Sequence, residues 1–374
     1  MLNEKKKYLI CHISQSAGGV EHYILNIIQY SDYQLFEHIV ICSDNGSLGK
    51  RAKKEGATVF LVPMKREINL FYDLYSILKI LILVFQIKPT IIHAHSGKGG
   101  IFGRLTGMLL MKPVIFTPHS FSYLGYQGLK KTIIKSIEVL FKYTGAKFLP
   151  SSNSERNRAI LEIGWNVNNV LPIFKNSISI NDNEIIQNKT SKKIKFINLA
   201  RLSRQKDPIL FLEIAKAVHE IFCDSEFVIV GAGYGDELSV EVNQFISINR
   251  MESFVKILSW VSDCELDNYL RDSDIFLFTS KYEGLPTVLL KAMEYRLPVV
   301  ATRVDGNIDV VKHNITGFLF NEIPDLIDSC LTLAKNPLLR KDMGFQGYLY
   351  LKNSFEIKNN IKILEKAYQS FQNN

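Results

Sequence analysis

The fold is decided by the stretch Ser280-Lys-Tyr-Glu-Gly-Leu-Pro-Thr-Val-Leu-Leu-Lys-Ala-Met-Glu-Tyr-Arg-Leu-Pro-Val-Val-Ala-Thr302. The residues before it, Ile275 to Thr279, form an apolar run that is typical of a parallel strand covered by helices on both faces. Within the stretch, a tight turn leads into a helical segment and then into a second apolar run. This order predicts an α/β unit, in which ligands bind at the carboxyl ends of the strands.

The turn after this strand carries residues suited to ligand binding. Glu283 falls at the carboxyl end of the strand, the usual ligand position in open α/β sheets. Gly284 lets the backbone approach a ligand closely, and Pro286 starts the next helix with a preset φ.

The same alternation of strand and helix runs twice along the chain, which predicts two parallel sheets with right-handed crossovers. At 374 residues the chain exceeds the roughly 250–300 residues at which single cores stop growing, so two domains are expected. A polar stretch, Ser177 to Lys193, is the predicted linker. The predicted strands are Tyr8–Ile13, Glu37–Cys42, Thr58–Val62, Thr90–Ala94, Pro113–Thr117 and Lys147–Pro150, then Lys195–Ala200, Glu226–Val230, Val255–Leu258, Ile275–Thr279 and Pro298–Ala301.

Composition and targeting signals favour a cytoplasmic protein. The five cysteines have no paired spacing, which argues against a disulfide framework or a zinc site. The apolar run after Lys7 is too short for a signal peptide and is better read as the first strand. The apolar segment Leu70 to Ile87 is interrupted by Asp73 and Lys79, so we expect a buried helix packed against the sheet and no membrane span.

Charge is concentrated in the first half of the chain. Residues 1–175 contain 22 Lys and Arg against 11 Asp and Glu, a net +11, whereas the remainder carries 23 against 26, a net −3. A basic half suits nucleic acid or anionic lipid headgroups, but no nucleic-acid motif accompanies it, and we expect no nucleic-acid partner. The segment Leu129 to Tyr143, with Lys131, Lys135 and Lys142, fits either a solvated helix or an interfacial helix on an anionic membrane.

The turn at Glu283, with the Leu-Pro-Val-Val strand after it, resembles the donor-sugar loop of retaining glycosyltransferases with the GT-B fold, family 4. The resemblance implies two Rossmann-like domains that face each other across a cleft, with a C-terminal helix that crosses back. The implied domains are 1–176 with the helix 356–374, which binds the acceptor, and 177–355, which binds the nucleotide sugar.

The resemblance extends to the loop Ala200-Arg-Leu-Ser-Arg-Gln-Lys-Asp-Pro208, which is similar to the family's diphosphate clamp. It implies that Arg201 and Lys206 neutralise the leaving diphosphate in place of a metal ion, so we expect neither a metal nor a cofactor. It also implies that Glu283 and the backbone of Gly284, Leu285, Pro286 and Thr287 hold the sugar. The glycine turn with Gly231 and Gly233 is implied to lie under the nucleotide.

One position departs from the family pattern. Lys291 stands where the family has a second Glu that binds the ribose, and an ammonium has no acceptor lone pair. Glu294 lies three residues later on roughly the same helix face. The ribose contact is therefore lost, supplied by Glu294, or exchanged for a contact with phosphate, and nucleotide identity stays open.

Three motifs of the first domain are also implied as functional. Gly18 and Gly19 precede a helix and present backbone N–H groups to an anion. His95 and His119 each follow a buried strand, and His119 corresponds to the family histidine that contacts the donor sugar. His93 is expected to be structural.

Two other motifs suggest different chemistry. Gly231-Ala-Gly233 follows a strand as a dinucleotide fingerprint would, but the third glycine position is Asp236. Asp272 and Asp274 imitate a metal-binding Asp-x-Asp pair, and capping or solvation of a strand end explains both.

The implied function is retaining transfer of a hexose or N-acetylhexosamine from a UDP-sugar to a lipid-linked saccharide in bacterial surface polysaccharide synthesis (O-antigen, capsule or exopolysaccharide). We expect the protein on the inner face of the plasma membrane, in peripheral contact through its basic first domain. Two alternatives stay open: a nucleotide-sugar 2-epimerase of similar shape, which would need several catalytic carboxylates, and a non-catalytic protein that retains the fold.

Overall fold

The protein is described by a computed structural model that covers residues 7–15, 19–43, 47–65, 69–180, 193–233 and 236–372. The chain forms two compact units. Unit 1 comprises Met1–Ser177 and Ile357–Asn374, and unit 2 comprises Ile178–Glu356. Residues 181–192 of the predicted linker, and Gly18, lie outside the described residues.

Unit 1 contains a six-stranded parallel sheet in the order β3-β2-β1-β4-β5-β6. All residues of β4 and β5 are buried, as expected for strands covered on both faces. The strand order reverses between β1 and β4, and such a reversal is where open α/β sheets bind ligands. The elements are β1 (Tyr8–Ser14), α1 (Gly19–Tyr30), β2 (Phe36–Cys42), α2 (Leu48–Lys54), β3 (Thr58–Leu61), α3 (Leu70–Ile87), β4 (Ile91–His95), α4 (Gly97–Leu109), β5 (Val114–Thr117), α5 (Gly128–Phe141), β6 (Lys147–Phe148) and α6 (Asn153–Arg158).

Unit 2 repeats the plan, with the order β12-β11-β10-β7-β8-β9 and the reversal between β10 and β7. The sequence predicted five of these strands and missed β12. The elements are β7 (Ile194–Leu199), α7 (Pro208–Ile221), β8 (Ser225–Ala232), α8 (Ser239–Ile248), β9 (Val255–Ser259), α9 (Asp263–Arg271), β10 (Ile275–Phe278), α10 (Thr287–Glu294), β11 (Val299–Thr302), α11 (Asn307–Val310), β12 (Gly317–Phe320), α12 (Ile323–Lys335) and α13 (Pro337–Ser354).

The last helix, α14 (Ile357–Gln369), belongs to unit 1. Its residues Ile361, Leu364 and Tyr368 share an apolar cluster with Tyr23 and Ile27 of α1. The C-terminal segment therefore returns to the first unit.

Helices α3, α4 and α5 form a layer on one face of the unit 1 sheet. Lys98 of α4 pairs with Asp73 of α3 at 2.7 Å, and Arg104 of α4 pairs with Glu138 of α5 at 2.9 Å. Right-handed crossovers place the helices of the β3-β4, β4-β5 and β5-β6 connections on a common face, in agreement with these contacts.

The prediction that α3 is a buried helix was wrong. Only Ser76, Ile80 and Val84 are buried, whereas Leu70 is 80% exposed and Phe71 87%. By length and composition alone, α3 is the one helix of the described residues that could cross a membrane. The buried residues and the half-buried Ile77 and Leu83 pack α3 on the core of unit 1, whereas its exposed apolar side chains have no protein cover within the described residues.

Candidate active site

In unit 2, the loops after β7 and β10 are bonded to each other. Lys206 donates to Glu283 Oε1 at 2.5 Å, and both side chains are largely buried. Thr279 Oγ1 lies 3.0 Å from the carbonyl oxygens of Lys206 and Asp207, and Gln205 donates to the carbonyl of Tyr282 at 3.0 Å. Two predicted site residues thus meet beside the point where the strand order reverses.

The loop after β8 is held against the loop after β7 by Asp236. One of its carboxylate oxygens accepts from the backbone N–H of Leu202 at 2.9 Å, and the other accepts from that of Gly233 at 2.6 Å. Gly231 has φ +117°, and a Cβ there would lie 3.2 Å from the carbonyl oxygen of Ala200. The residue that breaks the dinucleotide fingerprint therefore ties Gly233 to the loop after β7, and Gly231 lies against Ala200, which directly precedes Arg201.

A glycine that the sequence analysis missed supports the Glu283 turn. Gly306 has φ +78°, and a Cβ there would lie 2.6 Å from the carbonyl oxygen of Gly284 and 3.0 Å from Glu283 Cβ. Leu285 is buried in the unit 2 core, Pro286 precedes α10, and Thr287 is its first residue. The turn therefore lies between a fixed core residue and the backbone at Gly306, and no local sequence pattern shows that approach.

Lys291 takes part in an ion-pair cluster on α9 and α10. Its ammonium lies 3.0 Å from Glu294 Oε2 and 3.4 Å from Asp267 Oδ1. Burial on its own lowers the pKa of Lys291, but the charges of Glu294 and Asp267 outweigh it and the net shift is upward. Lys291 is thus a charged lysine that neutralises Glu294, the predicted substitute for the ribose contact.

The Asp-x-Asp pair serves the sheet. Asp272 forms an ion pair with Lys195, and Asp274 accepts from the backbone N–H of Lys195 at 3.1 Å while lying 3.5 Å from Arg340 Nε. Both carboxylates therefore have protein cations as partners.

In unit 1, Gly19 is the first residue of α1, as predicted from the glycine turn. Two residues further, in the first turn of α1, Glu21 is buried and accepts hydrogen bonds from Ser47 at 2.6 Å and Arg51 at 3.0 Å. The start of α1 is therefore tied to the start of α2.

The strand ends that carry His95 and His119 have unusual backbone conformations. Ser96 has φ +60°, His119 +56° and Ser120 +96°, a region that residues other than glycine rarely adopt. Buried Glu155 holds the second of these turns, since its carboxylate accepts from the backbone N–H of Ser120 at 2.8 Å. Strain of this kind, of order 1–3 kcal/mol per residue, persists where the surroundings fix a functional loop. Glu155 was missed because its Ser-x-x-Glu pattern predicts only a helix start.

A row of hydrogen-bonded imidazoles crosses the unit 1 sheet. His95 Nδ1 lies 3.1 Å from His119 Nε2, His95 Nε2 lies 3.0 Å from His12 Nδ1, and His12 Nε2 lies 3.1 Å from His38 Nδ1. Burial lowers the pKa of all four, to about 4 for His38 and to about 3 for His119. The four rings are therefore neutral at neutral pH.

His93 lies beside this row but has other partners. Its ring nitrogens bond Tyr368 of α14 at 2.7 Å and Thr117 of β5 at 3.0 Å. Nitrogens of His12, His93 and His95 lie within 4.8 Å of one another, a spacing that could hold a metal ion. Each of the six nitrogens of these three rings already has a hydrogen-bond partner, so the donor set favours a hydrogen-bonded network over a metal site.

Comparison with known proteins agrees with this architecture. The family profile of Glycosyl transferases group 1 matches residues 179–349, and that of Glycosyltransferase Family 4 matches residues 17–166. The UDP-Gal:alpha-D-GlcNAc-diphosphoundecaprenol alpha-1,3-galactosyltransferase of Escherichia coli is 27% identical over 359 residues, which cover 91% of both chains. The capsular polysaccharide biosynthesis glycosyltransferase CapM of Staphylococcus aureus is 25% identical over 361 residues, with 89% of this chain and 90% of the relative covered.

Solved structures show the same fold. Anabaena Alr3699/HepE, in complex with UDP and glucose, matches with a TM-score of 0.81 at 18% identity over 97% of this chain and all of that one. Sucrose-phosphate synthase of Thermosynechococcus elongatus matches with a TM-score of 0.80 at 14% identity, over 97% and 99%. The predicted GT-B fold is confirmed, and the chain belongs to the group 1, family 4 glycosyltransferases.

Proposed function

We propose that this glycosyltransferase transfers a hexose or N-acetylhexosamine from a UDP-sugar to a lipid-linked saccharide of a surface polysaccharide, with retention of configuration and without a metal ion. The observation that carries the proposal is the pair Lys206–Glu283 where the strand order of unit 2 reverses, with Arg201 on the same loop as Lys206. The names of the Escherichia coli and Staphylococcus aureus relatives support the UDP-sugar, the lipid-linked acceptor and the polysaccharide product.

In the proposed reaction, the cations act on the leaving group. Arg201 and Lys206 bind the diphosphate and stabilise the charge that develops as the bond from the anomeric carbon to UDP breaks. The acceptor oxygen attacks from the same face, and its proton passes to the departing phosphate oxygen. Glu283 and the backbone of residues 284–287 hold sugar hydroxyls, and His119 contacts a substrate hydroxyl through Nδ1.

Thermal stabilisation by a panel of nucleotide sugars tests the donor site. A ligand present at 100 times its Kd adds about 2.7 kcal/mol to the stability of the protein. We expect a UDP-sugar to raise Tm, Arg201→Ala to abolish that rise, and Arg204→Ala to preserve it, because Arg204 is on the same loop but 78% exposed. A loss of stabilisation in both variants, or in neither, would contradict the clamp.

Product analysis tests the chemistry. We expect the α-anomer from an α-linked donor, read from the anomeric proton coupling of the product, and unchanged turnover in excess chelator. A 2-epimerase would instead isomerise the free nucleotide sugar with no acceptor present. A non-catalytic protein would bind donor and release neither product.

We infer further that the α3–α4–α5 layer contacts an anionic membrane. Beside the exposed Leu70 and Phe71, α3 presents Leu74, Leu78, Ile82 and Phe85 at its surface, and α5 presents Leu129, Ile133 and Leu140. Lys130 and Lys131 on α5 are also exposed. Apolar side chains beside lysines are the composition of helices that lie in the headgroup region of anionic bilayers.

Vesicle sedimentation tests this surface. We expect binding to vesicles with phosphatidylglycerol, weaker binding to phosphatidylcholine alone, and at least tenfold weaker binding after Phe71→Ser, Leu74→Ser and Phe85→Ser are combined. Val240→Ser with Ile248→Ser is the matched control, since both residues are exposed on α8 of unit 2. Equal binding by the two variants, or a dimer in solution that the α3 variant dissociates, would assign the surface to another partner.

A further inference from the structure

The row of imidazoles in unit 1 forms a continuous chain of hydrogen bonds with defined ends. Ser31 Oγ, just after α1, lies 2.7 Å from His38 Nε2 and begins the chain. The bonds continue through His12 and His95 to His119 Nε2. Neighbouring rings are inclined by only 19° to 27°, with centroids 5.3 to 5.4 Å apart. At the far end, His119 Nδ1 is buried and has no hydrogen-bond partner among the described residues.

The chain couples the protonation sites of its members. A neutral imidazole has one N–H and one lone pair, so a ring with two bonded nitrogens must donate at one and accept at the other. Only two arrangements satisfy every bond from Ser31 to His119: all four protons on Nδ1, or all four on Nε2. The lowered pKa values keep the rings neutral, and a second proton on His12 or His95, which are bonded to another imidazole at both nitrogens, would place two hydrogens in one bond.

The Ser31 end favours the Nδ1 arrangement. There the buried Ser31 hydroxyl donates its proton to His38 Nε2, so that no hydrogen at this end lacks an acceptor. In the Nε2 arrangement the hydroxyl must accept from His38, and its own proton then needs a further partner. An unpaired buried donor costs about 1–3 kcal/mol. The Nδ1 arrangement moves the one unpaired donor from the Ser31 hydroxyl to His119 Nδ1–H, at the turn after β5, where an oxygen of a bound molecule can accept from it.

We propose that Ser31, His38, His12 and His95 are positioning residues that fix His119 as its Nδ1–H tautomer, so that this nitrogen donates a hydrogen bond to an oxygen of the substrate. The role of the bond in turnover rests on the proposed function, but the tautomer does not. The strained turn at His119 and Ser120, held by Glu155, then orients the donor, and the hydrogen-bonded row of imidazoles keeps the hydrogen on Nδ1.

Long-range ¹H–¹⁵N NMR of histidine-labelled protein tests the chain, because it distinguishes the two neutral tautomers of each ring. We expect His12, His38, His95 and His119 all as Nδ1–H. Ser31→Ala and His38→Phe should turn the His119 signals into a mixture of tautomers, although His38 is three hydrogen bonds away from His119 and Ser31 is four. His93→Phe is the matched control, since His93 is equally buried but outside the chain, and should leave His119 as the single tautomer.

Two outcomes would overturn the proposal: Nε2–H on His119 in the native protein, or a His119 tautomer that Ser31→Ala leaves unchanged. Ser31→Ala removes one hydroxyl and keeps the test open should His38→Phe fail to fold. In the transferase reaction we expect His38→Phe to lower kcat about tenfold, with UDP affinity unchanged. An absence of transfer activity in the native protein would end the proposed function and leave the NMR result standing.

Discussion

The two units have the same topology, but unit 1 has neutral polar groups and unit 2 has charged groups near the point where the strand order reverses. Unit 1 places four neutral imidazoles there, joined by hydrogen bonds in a buried row. Unit 2 places the ion pair Lys206–Glu283 there, with Lys291 and Glu294 on the following helix. The comparison teaches that one sheet plan holds two kinds of polar cluster, neutral hydrogen-bonded rings in unit 1 and an ion pair in unit 2, and we propose that the first acts through hydrogen-bond direction and the second through charge.

The largest effect on catalysis is expected from the charged site. Lys206→Met should lower kcat/KM about 10²- to 10³-fold, the usual loss when one preorganised group that stabilises developing charge is removed. Glu283→Gln should cost about tenfold, since its amide still reaches a sugar hydroxyl but no longer orients Lys206. Steady-state kinetics of both variants and the double variant measures this.

The double variant decides whether the two residues act as a unit. We expect it to be no worse than Lys206→Met, because residues in contact are not additive. Arg204→Ala is the control and should stay within twofold of the native enzyme. Additive losses would mean that Lys206 and Glu283 act on the substrate independently of their ion pair.

The second effect concerns acid stability and should be confined to unit 1. Its buried imidazoles have a lowered pKa in the folded state, whereas an unfolded histidine has a pKa of about 6.5. Below about pH 6.5 the unfolded state binds more protons, so stability is complete above that pH and falls as the pH drops, at up to about 1.4 kcal/mol per pH unit for each histidine.

Each unit has its own tryptophan reporter for this test. Trp165 is buried in unit 1 and Trp260 is exposed in unit 2. Urea unfolding of Trp260→Phe, followed by Trp165 fluorescence between pH 7 and 5, should show the loss. The complementary Trp165→Phe protein should report a smaller loss around Trp260. Parallel losses would mean that the two units unfold together or that the histidines do not carry the effect.

The sequence predicted strands better than it predicted surfaces. Long apolar runs such as Phe276 to Phe278 identify buried strands, because neither face could be solvated. Strand β12 escaped because it is short and begins with Gly317, which is required there since a Cβ would lie 2.2 Å from the carbonyl oxygen of Val299. The prediction that α3 is buried failed because a hydrophobic sequence indicates that the helix surface avoids water, without indicating whether this protein or a partner covers it.

The same limit applies to the sites. His95 and His119 were predicted because each follows a strand and lies in a motif that resembles the family's, and Lys206 and Glu283 because their loops resemble the family's donor site. His12 and His38 carry no local signal: they join the site only because β1 pairs with both β2 and β4, which puts His12 opposite His93. Lateral pairing and register are properties of the whole sheet.

The third effect concerns the support of the charged site. Gly306→Ala should destabilise the protein by about 2 kcal/mol, because Ala combines a positive φ with a collision against Gly284. Gly145→Ala is the matched control: its φ of +80° is nearly the same, but nothing lies within 4 Å of its Cβ, so about 1 kcal/mol is expected. Urea unfolding measures both losses of stability. Equal losses would mean that the close approach to Gly284 adds nothing to the cost of the positive φ.

The smallest effect is expected on UDP affinity, in variants of Lys291 that separate its charge from its lack of a hydrogen-bond acceptor. Lys291 neutralises Glu294 and Asp267 and offers no acceptor to a ribose hydroxyl. Lys291→Glu should therefore strengthen UDP binding about tenfold, the value of roughly one hydrogen bond to a charged group. Lys291→Met removes the ammonium without adding an acceptor and should leave Kd within twofold. Calorimetric titration with UDP measures both. Equal gains in the two variants would mean that Glu294, once released from Lys291, makes the ribose contact itself, and charge would then decide affinity on this helix as we propose it does at Lys206.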